Sequence, residues 1–108
     1  MSDILDIKQR IEKEKKVEKK QEDLRKRELS DIRKVISFPE GRRFMWRLWG
    51  EAGIYTDSFT GNSQTFYNEG RRSLGLMILR DVLEAEPKAF AQIQSEFVSE
   101  ANSNKEEV

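Results

Sequence analysis

Residues 3–36 contain neither proline nor glycine, and this constrains the fold more than anything else in the chain. Those two residues are the strongest breakers of regular structure, so the segment reads as one helix. Asp3 can cap its start, and Asp6 suits the positive end of the helix dipole. At ~1.5 Å per residue it spans roughly 50 Å, longer than the small domain that follows. From Glu12 to Glu28 it carries 14 charges in 17 residues, interrupted only by Val17, Gln21 and Leu24. Glu12–Lys16, Glu22–Lys26 and Asp23–Arg27 have the spacing of helix-surface ion pairs, worth ~0.2–0.5 kcal/mol each. Ile4, Ile7 and Ile11 fit a heptad seam, but Glu14 and Glu18 occupy its next positions, which rules out a sustained coiled coil. The seam restarts at Leu29, Ile32 and Ile36. The helix therefore has an apolar tip, a charged shaft and a base that joins a core.

The rest of the chain reads as three further helices. Phe38, placed before a proline, is pushed out of helical angles, and Pro39 suits a first helical position. The second helix runs from Pro39 to Ala52, with Gly53 past its end. Phe44, Met45, Leu48, Trp49 and Ala52 share one arc of it, while Trp46 lies off that stripe. A loop over 54–62 follows. The third helix opens near Ser63 as N-cap and ends at Ala85 or Glu86. Its stretch from Leu74 to Leu83 is apolar nearly all round, which predicts a central helix covered on several sides. Gly70 and Gly75 suit close approach of a neighbour. Glu86-Pro87 opens a fourth helix, lined on one side by Phe90, Ile93, Phe97 and Ala101. The fold class is thus all-α: an extended charged helix over 1–28, a small three-helix domain over 29–101, and a flexible tail over 102–108.

Composition removes whole classes of function. The chain has no cysteine and no histidine, so thiolate chemistry, imidazole bases and the usual zinc sites are excluded. Phosphate-binding glycine motifs are absent. The hydroxyls of Ser58, Thr60, Ser63 and Thr65 have no evident base and read as turn and cap groups. No catalytic residue, metal or cofactor is expected. Twenty basic and twenty acidic residues cancel, so no global field recruits nucleic acid or an anionic membrane. No stretch approaches the ~20 apolar residues of a membrane span, and the first residues do not form a signal peptide, so a soluble protein is expected.

Two segments repeat one arrangement. Pro39-Glu-Gly-Arg-Arg-Phe-Met-Trp and Tyr67-Asn-Glu-Gly-Arg-Arg each place paired arginines after Glu-Gly. Arg42 and Arg43 lie in the first turn of a helix, where cations are unfavourable, so a compensating contact is required. Glu40, Asp57 and Glu69 are the available acids, and Trp46 and Tyr67 the available rings. By helical phase Arg71 faces the side of Ile78 and Val82, which puts at least one arginine in a partly buried pair. Arginine with aromatic residues is the composition of a protein interface core rather than of a phosphate groove. Ile4, Ile7, Ile11, Arg42, Arg43, Trp46, Arg71 and Arg72 are accordingly the candidate partner-binding residues.

Asp31-Ile-Arg-Lys-Val-Ile-Ser-Phe-Pro-Glu-Gly-Arg-Arg-Phe-Met-Trp-Arg-Leu and Ser58-Phe-Thr-Gly-Asn-Ser-Gln-Thr-Phe-Tyr-Asn-Glu-Gly-Arg-Arg-Ser-Leu-Gly also carry a likeness. Over roughly residues 30–98 the chain resembles a small tailed-bacteriophage domain family, typified by a short protein from the virion-gene cluster of a podovirus infecting Bordetella. The resemblance implies a virion or morphogenesis component, found in the virion and, during assembly, in the host cytoplasm. It supplies no activity, and the charged helix lies outside it.

A non-enzymatic structural protein is therefore expected. It would dock on a larger virion protein (a portal, tail or head component), with a homo-oligomer as a further possibility. A nucleic-acid-associated protein and a transient assembly factor are the rivals. Leu48, Trp49, Leu74, Ile78, Val82, Phe90 and Phe97 are expected to be buried together. Phe59, Phe66 and Tyr67 are expected to pack on the domain beside a positive-φ turn at Gly61-Asn62.

Overall fold

Four helices follow in order: α1 (Ser2–Ser37), α2 (Pro39–Ala52), α3 (Gln64–Ala85) and α4 (Ala89–Glu106). The structure, a computed structural model, describes the backbone of residues 2–106 and the surroundings of residues 3–100. The fold is all-α, with the long helix leading into three shorter ones. Of the tail expected over 102–108, the backbone continues α4 to Glu106; its side chains, and that of Ala101, lie outside the described residues.

The breaks follow local chemistry. Phe38 is extended (φ −98°, ψ 140°) and Pro39 opens α2. Gly53 takes the left-handed conformation (φ 75°) and its N–H meets the Trp49 and Gly50 carbonyls, closing α2. Ser63 holds the N-cap position of α3 as expected, but its backbone is already helical and its side chain makes no cap bond; the Gln64 N–H instead donates to Asn62 Oδ1 at 2.9 Å. The positive φ at Gly61 (79°) turns the chain so that Asn62 arrives first. Glu86 is extended and ends α3, and a turn that bonds Ala89 N–H to the Glu86 carbonyl delays α4 to Ala89.

Trp49, Val82 and Ile93 are fully buried, joined by Ile36, Ala52, Ile54 and Ala89. Ile32, Met45, Trp46, Leu76, Leu79, Phe90 and Phe97 pack against them. Phe90 meets Trp49 edge-on at 5.5 Å, and Phe97 stacks on Trp46 at 6.0 Å. Gly75 lets α3 touch α2: a Cβ there would lie 2.5 Å from Ala52 Cβ and 2.9 Å from Ile54 Cγ2. The expected core is only partly realised. Leu48 and Ile78 are half-buried, while Leu74 is 56% exposed and Phe44 is also exposed. The domain has too few elements to surround an all-apolar helix, so one side of α3 stays bare.

Two arginines close helix ends. Arg33 Nε donates to the Ala85 carbonyl of α3 at 2.7 Å, and Arg42 Nη1 to the Ile36 carbonyl of α1 at 2.9 Å. Arg25 forks onto Asp81 (2.8 Å) and Glu84 (2.5 Å) of α3 and onto Glu28 of its own helix. Asp81, isolated in the sequence, is thus paired. Beyond Arg25 every described residue of α1, from 3 to 24, is exposed. The pairs expected at Glu12–Lys16, Glu22–Lys26 and Asp23–Arg27 are not closed among the described residues. In water such pairs recover little of the side-chain entropy they cost. The result is a long molecule, 80 × 39 × 16 Å, with a radius of gyration of 20.9 Å.

Candidate docking surface

The two Glu-Gly-Arg-Arg runs have opposite structural fates. In the first, a Cβ on Gly41 would land on the Val35 carbonyl, so only glycine lets α2 start this close to the end of α1. Arg42 turns back into the fold, its side chain 13% exposed, and gives Nε to both Glu96 oxygens at 3.1 and 3.0 Å. Glu96, not Glu40, Asp57 or Glu69, is its partner, because α4 passes beside the α1–α2 corner. The unfavourable cation at the start of α2 is offset by this acid and by the negative end of α1. The Arg42 guanidinium in turn holds the Glu96 carboxyl below the usual range for a glutamate.

The second run is left largely outside the packing. Gly70 has open space where a Cβ would stand. Arg71 is exposed and lies over the Tyr67 ring, 5.6 Å from its centroid. Arg72 is half-buried, and its Nε has no hydrogen-bond partner. The arginine held in a partly buried pair is therefore Arg42, not Arg71.

Around this second run the expected packing of the aromatics fails. Phe59, Phe66 and Tyr67 are 73%, 81% and 64% exposed. The reason is local: the 54–62 loop is held by its own polar groups. Phe59 N–H donates to Asp57 Oδ1, and Thr60 bonds both Asn62 and Thr65. Asn68 Nδ2 reaches the Ser58 carbonyl at 3.2 Å. Such a loop keeps its shape without burying its rings. Phe66, Tyr67, Leu74 and Met77 then share an arc of about 100° on α3, all of them exposed. Beside this arc an open groove of about 620 Å³ runs between α2 and α3. Leu48, Tyr67, Leu74 and Ile78 are its apolar lining, and Glu51 of α2 and Arg71 of α3 line it as well.

The other candidate residues are not gathered here. Ile4, Ile7 and Ile11 lie exposed, with Leu5, on the outer part of α1. Arg43 is exposed beside Glu40, Phe44 and Arg47. Trp46 is half-buried between Tyr55 (5.8 Å) and Phe97, so it fastens α4 to α2. Burial of that Tyr55 ring pushes its hydroxyl pKa up. The apolar pattern of the sequence places Leu48, Leu74 and Ile78 in the core, whereas the structure leaves Leu48 and Ile78 half-buried and Leu74 exposed. Nothing in the sequence signals that they stay open, because the apolar circumference of α3 exceeds what α2, α4 and the base of α1 can cover, and periodicity does not count neighbours. Among the described residues no cluster of acids could hold a metal ion, and no helix is long and apolar enough to cross a membrane.

A small all-α domain with a protruding charged helix and an uncovered apolar flank is the class these features define. The chain belongs to the Bbp19-like phage protein family, whose sequence profile matches residues 32–95. That interval holds both Glu-Gly-Arg-Arg runs and the domain core but not the shaft, as the resemblance over 30–98 led us to expect. No curated protein and no solved structure matches the chain.

Proposed function

We propose that this phage protein is a non-catalytic structural or morphogenesis component that docks on a larger virion protein, in the head or at the portal–tail junction. It acts in the virion and in the host cytoplasm during assembly. The observation that carries the reading is the uncovered apolar surface of α3, where Phe66, Tyr67, Leu74 and Met77 stand exposed beside Arg71. Contiguous exposed apolar groups of this kind mark interaction sites, and aromatic residues with arginine are favoured anchors in interface cores. The apolar outer part of α1 offers a second contact on the same chain. Nucleic-acid binding has less support, because the shaft balances eight basic against six acidic residues.

The test is mass spectrometry of purified virions from phage carrying the wild-type gene, Phe66→Asp or Leu74→Asp. The reading expects the protein in wild-type particles and its depletion in both variants, at equal expression. Absence from wild-type particles would favour the transient assembly factor. Equal incorporation of the variants would remove the α3 face from the interface.

A further inference from the structure

The charges of α1 nearly cancel along its length but not around its axis. At about 100° per residue, Lys8, Lys15, Lys16, Lys19 and Lys20 fall on one arc of about 140°, and Lys26, Arg27 and Lys34 continue it toward the base. All eight are exposed, and none is in an ion pair among the described residues. Glu12 and Asp23 are the acids on this arc; Arg33, at its edge, is turned onto the Ala85 carbonyl. The rest of the circumference reverses the balance, with seven acids against Arg10, Lys13 and Arg25. Of those three, Arg25 is already held by Asp81 and Glu84.

Packing fixes which side faces out. Arg25, Ile32 and Ile36 meet the domain, and they lie about 150° round the axis from the middle of the basic arc. The basic face therefore looks away from the domain and continues past the point where the helix leaves it. From Lys8 to Lys34 it is about 39 Å long.

The chemistry of this face selects its partner. It is rich in lysine and holds no aromatic residue, whereas protein interface cores are depleted in lysine and enriched in aromatic anchors. On a second copy the acids opposite this face are interrupted by Ile4, Ile7, Ile11 and Arg10, so its α1 offers no matching anionic run. An interfacial membrane helix carries a broad apolar face opposite its lysines, but Glu14 and Glu18 stand there. Single strands are gripped by bases stacking on aromatic rings, which the face lacks. A duplex presents a regular array of phosphates, and lysine ammoniums meet phosphates as point charges. One duplex turn is about 34–36 Å, so a face of this length laid along the duplex axis passes both strands wherever it starts.

We infer that the outward face of α1 binds the phosphate backbone of a nucleic-acid duplex, without regard to base sequence. The near-equal totals weaken a case built on net charge; they do not bear on a face where eight basic residues stand against two acids. The contact is separate from the docking face of α3, and neither depends on the other.

Fluorescence anisotropy of a labelled duplex of about 20 base pairs, as DNA and as RNA, tests this with the full chain in about 50 mM salt. Binding to at least one duplex should occur and weaken steeply with salt, because released counterions drive it, and the tighter duplex identifies the polymer. Lys16→Gln/Lys19→Gln/Lys20→Gln should flatten the log–log salt dependence by a slope of roughly 3. The decisive comparison neutralises acids. Glu12→Gln/Asp23→Asn lies on the basic arc and Glu14→Gln/Glu18→Gln opposite it, with the same change in net charge. The first should tighten binding several-fold, and the second should leave it near wild type. All these positions are exposed on the shaft, and circular dichroism checks that helicity is unchanged. Absence of binding to both duplexes, or equal tightening by the two acid variants, would overturn the inference. So would equal affinity for a single strand, for poly-glutamate or for anionic lipid vesicles. Phe66→Ala, a lesion of the docking face, should bind the duplex as wild type does, so the two readings fail separately.

Discussion

Glycines 41 and 70 occupy the same place in two matching tetrapeptides, yet substitution at them should have opposite effects. Gly41→Ala drives a methyl group into the Val35 carbonyl, a backbone atom that cannot yield without moving α1 from α2. Gly70→Ala meets open space in a helix interior, where alanine is favoured by ~1 kcal/mol. Urea denaturation should show the first variant strongly destabilised and the second stabilised by up to that amount. Similar midpoints for the two would mean that the first run is not structural. The Arg42–Glu96 pair makes a second prediction at this scale. Because the folded carboxyl is held below its unfolded value, the pair stabilises the domain fully above the unfolded pKa of ~4.3. That contribution is lost as pH falls through the lower, folded value. Glu96→Gln should therefore narrow the stability difference between pH 7 and pH 3. A loss across that range as large as in wild type would contradict the pairing.

Element by element, α3 is the helix whose two sides have separate duties. Its Gly75 and Val82 side is locked against α2 and the core, while its Leu74 side is not. Ile93→Ala in α4 removes a fully buried side chain and should cost ~2–5 kcal/mol, whereas Leu74→Ala should stay within about 0.5 kcal/mol of wild type. Chemical denaturation of both variants checks the division, and a large loss at Leu74 would place it in the core after all. The helices themselves were legible in the sequence, because their breaks rest on local chemistry: Phe38-Pro39, Gly53, Gly61-Asn62 and Glu86-Pro87. The apolar phase also revealed Trp49, Val82 and Ile93. The uncovered side was not legible, since periodicity counts apolar positions and is blind to how many neighbours exist to cover them. Arg42's choice of Glu96 was hidden for a related reason. The two lie 54 residues apart, and only the crossing of α4 over the α1–α2 corner brings them together. Ile54, a buried loop residue, carried no periodic signal at all.

For the whole molecule, shape follows from the unequal division between shaft and domain. A compact chain of this size has a radius of gyration of about 13 Å, against 20.9 Å here. Removing residues 2–24 keeps the Arg25 fork and every buried residue. Small-angle scattering at low concentration should then fall from the extended value toward the compact one, with an unchanged denaturation midpoint. A coincident loss of stability would show that the shaft supports the domain.

The fork of Arg25 onto Asp81 and Glu84 makes α1 a lever with its fulcrum at the domain edge. From Arg25 to Ile4 the arm is roughly 31 Å, so a tilt of about 10° at the fulcrum sweeps Ile4 through about 5 Å, close to one helical pitch. A small adjustment in how one guanidinium shares two carboxylates is thereby magnified into a full turn's displacement at the far end. The aim of the arm is set where α1 joins the domain, by the Arg25 fork together with Ile32, Arg33 and Ile36, and not by the exposed isoleucines at its far end.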